Sequence, residues 1–273
     1  MSLPAPTTDT TAVVTGASAG IGVELARELA IRGHNLTLVA RRQDRLEELA
    51  AELKRDYGVT VEVEPCDLAD AGARSRLLEL IQAPTRRTIS ALCNNAGLGS
   101  FGLFWELDAA EEMRQVEVNV DALHHMCAAL LPGMVERGSG AILNVGSLAG
   151  NQPQPSNTTY AATKAFVNSF SEGLHAELSG SGVSCTVLCP GPVKTEFADA
   201  AGMGALAEAG PGFMWASAEQ VAKAGIDGMD KGKRVVVPRI HERAVGMAGR
   251  FAPRAVILPI MQRATQRTLK RGK

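Results

Sequence analysis

Neither sign of charge is in excess in this 273-residue sequence. Lys and Arg number 28 against 29 Asp and Glu, a net charge of −1, so no global field points to nucleic acid or to an acidic partner. Cysteine is sparse and scattered, at Cys66, Cys93, Cys127, Cys185 and Cys189, with no C-x-x-C pair. An odd, dispersed set speaks against a disulfide framework or a zinc site and for reduced core thiols in a cytoplasmic protein. His124 and His125 are adjacent, cannot face one ligand from a helix, and lack an H-x-x-x-H or Cys partner set, so no metal is expected. Met1 to Thr11 contains no apolar signal region. The longest strongly apolar run near the end, Ala255 to Met261, is too short to cross a bilayer. Low-complexity linkers and internal repeats are also missing. What remains is an ordinary globular composition, 45% apolar and 21% charged, with length enough to bury a core unaided.

Strand-like and helix-like segments alternate along the chain. Apolar runs at Ala12 to Thr15, Leu36 to Ala40, Val59 to Val63, Ile89 to Cys93, Ala141 to Val145, Val183 to Leu188 and Arg234 to Val237 read as strands. Between them lie helical patterns at Val23 to Arg32, Asp44 to Tyr57, Ala71 to Gln82, Ala109 to Glu136, Thr158 to Ser179 and Ser217 to Met229, with Pro132 expected to kink or end the long one. Strands returned by crossover helices must lie parallel. The expectation is therefore an α/β, doubly wound Rossmann-type sheet of about seven strands in a single domain, with its site outside the carboxyl ends of the strands.

The first strand runs straight into Thr15-Gly16-Ala17-Ser18-Ala19-Gly20-Ile21-Gly22 and then a helix. Glycines there let the backbone approach a pyrophosphate whose charge meets the free amides of the helix. The spacing is not G-x-G-x-x-G. It resembles the nucleotide loop of the short-chain dehydrogenase/reductase family, and three further stretches match that family in order: Asn94-Asn95-Ala96-Gly97, Ser147 with Tyr160-Ala161-Ala162-Thr163-Lys164, and Pro190-Gly191-Pro192-Val193-Lys194-Thr195. The likeness runs over about residues 10 to 238. It implies that a nicotinamide cofactor is bound by Gly16, Ser18, Gly20, Ile21, Gly22, Asp67, Leu68, Asn94, Ala96, Gly97, Tyr160, Lys164, Pro190, Gly191, Val193 and Thr195. In a dinucleotide fold an acid at the end of the second strand binds the adenosine ribose. Here Ala40 stands in its place, followed by Arg41 and Arg42, a pair suited to a 2′-phosphate. NADP is expected over NAD, although Ala19 stands where many NADP-dependent relatives carry a basic residue. The less favoured reading of the two arginines is the solvated start of a helix, and Asp67 reads nearly as well as a cap or turn residue.

Tyr160 and Lys164, four apart on a helix, share one face. A lysine charge about 4 Å from a phenol contributes about 4 kcal/mol at an effective dielectric near 20, enough to bring a tyrosine toward neutral pH. Ser147, at a strand end, can donate to a substrate oxygen as charge develops on it. The resemblance adds Asn119, which would hold a helix kink and a water relay, and gives Lys164 the nicotinamide ribose as well. Asn119, Ser147, Tyr160 and Lys164 form the candidate catalytic set for interconverting a ketone and a secondary alcohol. Alternatives are a relative catalysing epimerisation or dehydration, or a non-catalytic dinucleotide sensor.

Leu98 to Leu107, with Phe101, Phe104 and Trp105, is expected to shape the pocket. So is residues 196–216, a Gly- and Ala-rich stretch with Phe197, Met203, Phe213, Met214 and Trp215, which reads as a substrate lid. Few charges occur in either, favouring an apolar carbonyl substrate over a sugar. Residues 239–273 carry nine Lys/Arg and one acid, Glu242. They form either a basic amphipathic contact to an anionic membrane or an acidic acyl carrier, or, as the favoured reading, an extension packed on the protein itself. The family resemblance implies a homodimer or homotetramer.

Overall fold

Side chains along a strand alternate between faces, so a strand buried at every position must be covered on both. Leu36–Ala40, Gly140–Val145 and Val183–Leu188 are such strands. The computed structural model describes residues 2–202 and 215–271. Its order begins β1 (Thr10–Thr15), α1 (Gly20–Ile31), β2 (Leu36–Ala40), α2 (Gln43–Tyr57), β3 (Val61–Pro65), α3 (Ala71–Ile81) and β4 (Thr88–Asn94). It continues with α4 (Ala109–Val116), α5 (Leu123–Glu136), β5 (Gly140–Val145), α6 (Thr158–Glu177), β6 (Val183–Leu188), β7 (Val193–Lys194) and α7 (Glu196–Ala200). The last described elements are β8 (Ala216–Ser217), α8 (Ala218–Asp230), β9 (Val235–Val236), α9 (Ile240–Phe251) and α10 (Arg254–Arg271).

The main sheet has seven strands in the order β3-β2-β1-β4-β5-β6-β9, all parallel. Alternation along the strands splits the core in two. Val14, Leu143 and Leu188 pack with Leu25, Leu29, Leu46 and Ile226 of α1, α2 and α8. On the other face Val13, Leu92 and Ile142 pack with Leu77, Met126, Leu130 and Val167 of α3, α5 and α6. Winding reverses at β1, whose neighbours are β2 and β4. The loops leaving β1 and β4 therefore part, and a crevice opens beyond their carboxyl ends.

One feature departs from the sequence expectations and two add to them. The helix expected over 109–136 keeps its span, but its irregularity lies at Glu117–Ala122, which is π-helical, and α5 runs through Pro132 to Glu136. Proline removes one backbone donor, whereas a π turn inserts a residue and re-aims the side chains around it. Second, β7 and β8 pair in parallel as a small separate sheet, Ala216 N donating to Pro192 O at 3.0 Å. The two ends of the stretch expected as a lid are thus fastened together. Third, the C-terminal stretch forms α9 and α10. Asn151 Nδ2 donates to Gly246 O at 3.2 Å and Thr265 Oγ1 to Pro155 O at 3.4 Å, seating both helices beside the crevice. Their outer side leaves Ile240, Phe251, Val256 and Ile260 exposed.

Candidate active site

The chain leaves β1 at Thr15 and turns at once at Gly16, in the left-handed region at φ +67° that disfavours a β-carbon. Gly22 lies just behind. A β-carbon there would sit 2.2 Å from Gly16 O, so glycine alone lets the first turn of α1 close on the loop. Asn95 stitches this turn to the loop after β4, its Nδ2 donating to Thr15 O at 2.9 Å, while Thr15 Oγ1 accepts from Ala96 N at 3.1 Å. The residue before α1, Ala19, offers no side-chain cap and the first turn has no acid. Its amides are therefore available to an anion.

On α6, Tyr160, Lys164 and Asn168 recur every four residues and form one row. Lys164 is 4% exposed and its Nζ donates to Val145 O at 2.7 Å. Ser147, just past β5, lines the same cavity wall as Tyr160, and its Oγ accepts from Ala149 N at 3.0 Å. Asn168 was not singled out in the sequence. Its Nδ2 donates to Ser147 O at 2.9 Å, and its Oδ1 accepts from Ser147 N at 3.4 Å and from Cys189 Sγ at 3.4 Å. The signal that could have found it was there: it is the next polar residue in the row begun by Tyr160 and Lys164.

The direction of the Tyr160 shift is opposite to the one expected. Part of the residue remains accessible, yet the protein packed around the phenol pushes it up to about 12, against a smaller pull downward from the nearby Ser147 side chain. Burial pushes Lys164 down to about 8. Desolvation is the largest influence on both groups, and the ammonium is bonded to the Val145 carbonyl, not to the phenol.

All the residues assigned to the site line one cavity of about 700 Å³ except Gly22, Asn94 and Asn119. Those three stand behind the wall. Gly22 is packed under the turn. Asn94, 4% exposed, donates from Nδ2 to Asn144 Oδ1 at 2.9 Å; an amide at an inner strand end must find a partner in the core. Asn119, 1% exposed within the π turn, accepts from Leu98 N at 2.8 Å and donates to Leu98 O at 2.9 Å and Thr163 Oγ1 at 3.0 Å. It ties the loop after β4 to the helix bearing Tyr160, a positioning task.

At the far end of the cavity, Ala40 closes β2 with no carboxylate beside it. Arg41 is exposed and Arg42 is held to the glycine turn, Nε donating to Ser18 Oγ and Nη2 to Ser18 O, both at 3.2 Å. Asp67 lines the wall and also makes the turn its bland reading foresaw, its Oδ1 accepting from Ala69 N at 3.1 Å. Burial pushes its carboxyl up, but Arg114, 2.6 Å away, and that amide carry it below the usual range.

Of the aromatic residues expected around the substrate, Phe197 and Trp215 line the cavity, as does Leu98. Phe197 lies against Tyr160 with ring centroids 5.5 Å apart. Phe101, Phe104 and Trp105 do not line it, and Phe104 and Trp105 are exposed. Met203, Phe213 and Met214 lie outside the described residues. Gln152, Gln154, Asn157 and, from α9, Gly249 complete the wall and were not foreseen.

The profile of the short chain dehydrogenase family matches residues 10–204. A very-long-chain 3-oxoacyl-CoA reductase of Anas platyrhynchos is 38% identical over 191 residues, 68% of this chain and 60% of that protein, so the match spans less than two thirds of that relative. Among solved structures, a short-chain dehydrogenase from Sphingobium yanoikuyae in complex with NADPH is 36% identical with a TM-score of 0.79, covering 88% of this chain and 92% of that one. A bulky-bulky ketone specific alcohol dehydrogenase from Comamonas testosteroni is 32% identical with a TM-score of 0.76, covering 88% and 91%.

Proposed function

This chain belongs to the short-chain dehydrogenase/reductase family, and we propose that it transfers hydride between NADP(H) and an apolar ketone or secondary alcohol. The observation that carries this reading is the convergence of Ser147, Tyr160 and, one helical turn on, Lys164 in the wall of the cavity that also holds the glycine turn. The uncapped amides at the start of α1 fit a pyrophosphate. Arg41 and Arg42 fit a 2′-phosphate that no carboxylate on Ala40 repels. When bound, the nicotinamide supplies the hydride.

The protein's own groups supply the proton and the placement. Ser147 donates to the substrate oxygen as charge develops there. Tyr160 gives its proton to that oxygen in reduction and takes one in oxidation. For this its ionisation must fall from about 12, and Lys164 is the cation placed to lower it by turning from Val145 O toward the phenol. Leu98, Phe197 and Trp215 around Tyr160 favour an apolar substituent on the carbonyl. The names of the duck relative and the Comamonas enzyme, which act on a long acyl chain and on bulky ketones, agree with that choice. The five cysteines are free and buried, which suits a reducing cytoplasm. Exposed Met113 on α4 and Phe166 on α6 suit pairing of two copies through those helices. The test is a panel of aliphatic, aromatic and steroid ketones with NADPH, followed by loss of reduced-nicotinamide absorbance. Turnover of apolar ketones is the expected result, and failure of the whole panel with both NADPH and NADH would overturn the reading.

A further inference from the structure

Glu196, the first residue of α7, places its carboxylate between two arginines of the opposite wall. Arg42 Nη1 donates to Oε2 at 3.0 Å and Arg45 Nη1 to Oε1 at 2.7 Å. The Arg45 and Arg42 hydrogen bonds hold this carboxyl below the usual range, so it is ionised at neutral pH. Each of the three guanidinium nitrogens of Arg42 has a partner. Its Nε and Nη2 edge is held by Ser18 of the glycine turn, and the remaining nitrogen, Nη1, is the one Glu196 takes. Both glutamate and arginines line the cavity at this end or stand at its lip, Arg42 and Glu196 in the wall itself.

We propose that Glu196 is the resident anion of the 2′-phosphate site and sets how strongly the protein prefers NADP(H) to NAD(H). The inference rests on the NADP(H) reading above. A phosphomonoester carries more charge than a carboxylate and offers three acceptor oxygens, so it displaces Glu196 from Arg42 Nη1. The displaced pair is an exposed one, Glu196 being 57% and Arg42 41% accessible, and such pairs are weak and readily opened. A nucleotide without the 2′-phosphate makes no claim on Nη1, and the pair stays closed. Glu196 therefore taxes only the phosphorylated cofactor.

The test uses adenosine 2′,5′-bisphosphate and AMP as probes, titrated calorimetrically against the wild type, Glu196→Gln and Glu48→Gln. Glu48 acts on Arg45 through its field and makes no hydrogen bond to it among the described residues, so it controls for general charge. Glu196→Gln is expected to bind the bisphosphate about threefold to fivefold more tightly, with AMP unchanged and Glu48→Gln close to wild type. An unchanged bisphosphate affinity, an equal gain for AMP, or an equal gain in Glu48→Gln would each overturn the proposal. A wild type that binds AMP more tightly than the bisphosphate would instead remove the NADP(H) reading beneath it.

Discussion

Lys164 Nζ donates to Val145 O at 2.7 Å and stands 5.7 Å from the ring centroid of Tyr160. The lysine is therefore neighbour to the phenol without being bonded to it. Both groups bear the cost of burial, Tyr160 pushed up to about 12 and Lys164 down to about 8. That pair of shifts makes the site visible in the stability of the whole protein.

Between pH 8 and 10.5 the folded chain holds fewer protons at Lys164 than the unfolded chain, whose lysine keeps its ordinary value of 10.5. Stability from this group is fully present above 10.5 and is lost as pH falls through 8, so its contribution to the unfolding free energy rises with pH across that window by about 3 kcal/mol. Tyr160 acts in the opposite sense above its ordinary value of 10, and so do the buried cysteines above theirs of 9.0, leaving about pH 8 to 9 to the lysine. Urea unfolding at a series of pH values should show the rise in wild type and a flatter profile in Lys164→Met. Identical profiles in both would refute the assignment.

Tyr160→Phe should keep cofactor binding and lose about 10²–10⁴-fold in kcat, since the ring still packs on Phe197 and only the transferable proton goes. Ser147→Ala should lose about 10²–10³-fold. Alcohol oxidation by wild type should rise with pH through one ionisation below that of a free tyrosine, near 10. Steady-state kinetics across pH checks all three, and near-normal turnover by Tyr160→Phe would rule out this proton route.

Removing Arg41, exposed at the cavity wall, should weaken NADP(H) binding by about 10- to 150-fold and leave NAD(H) almost unchanged. Fluorescence titration of Arg41→Ala with both cofactors measures it. Tighter binding of NAD(H) than NADP(H) by wild type would contradict the cofactor assignment.

Asn168→Ala should leave Ser147 O and N without their buried amide partner. A stability loss of about 1–3 kcal/mol is expected, together with a fall in kcat larger than any change in KM. Loss of stability with kcat intact would make Asn168 a purely structural residue.

Sedimentation at micromolar concentration should give a species heavier than the 28.7 kDa chain. Met113→Glu or Phe166→Glu should shift it toward the monomer, because a charge at a paired apolar face is left unpartnered. A single monomeric boundary in wild type would exclude the expected assembly.

The strands were legible because burial on both faces demands uninterrupted apolar runs, and the glycine turn because Gly16 and Gly22 answer local steric demands. The Tyr160–Lys164 row was legible because four-residue spacing is a property of one helix. Other features depend on distant segments meeting at the carboxyl edge of the sheet. Glu196 reaches Arg42 across 154 residues of sequence, and Asn119 clasps Leu98 and Thr163 from a π turn that no periodicity announces. Asn94 carries the family motif yet turns inward to Asn144, since the strand end that holds it is packed from both sides. The sign of the Tyr160 shift was likewise decided by tertiary structure: spacing placed a positive charge near the phenol, but the packing around the phenol, which no spacing reveals, raised its value by desolvation.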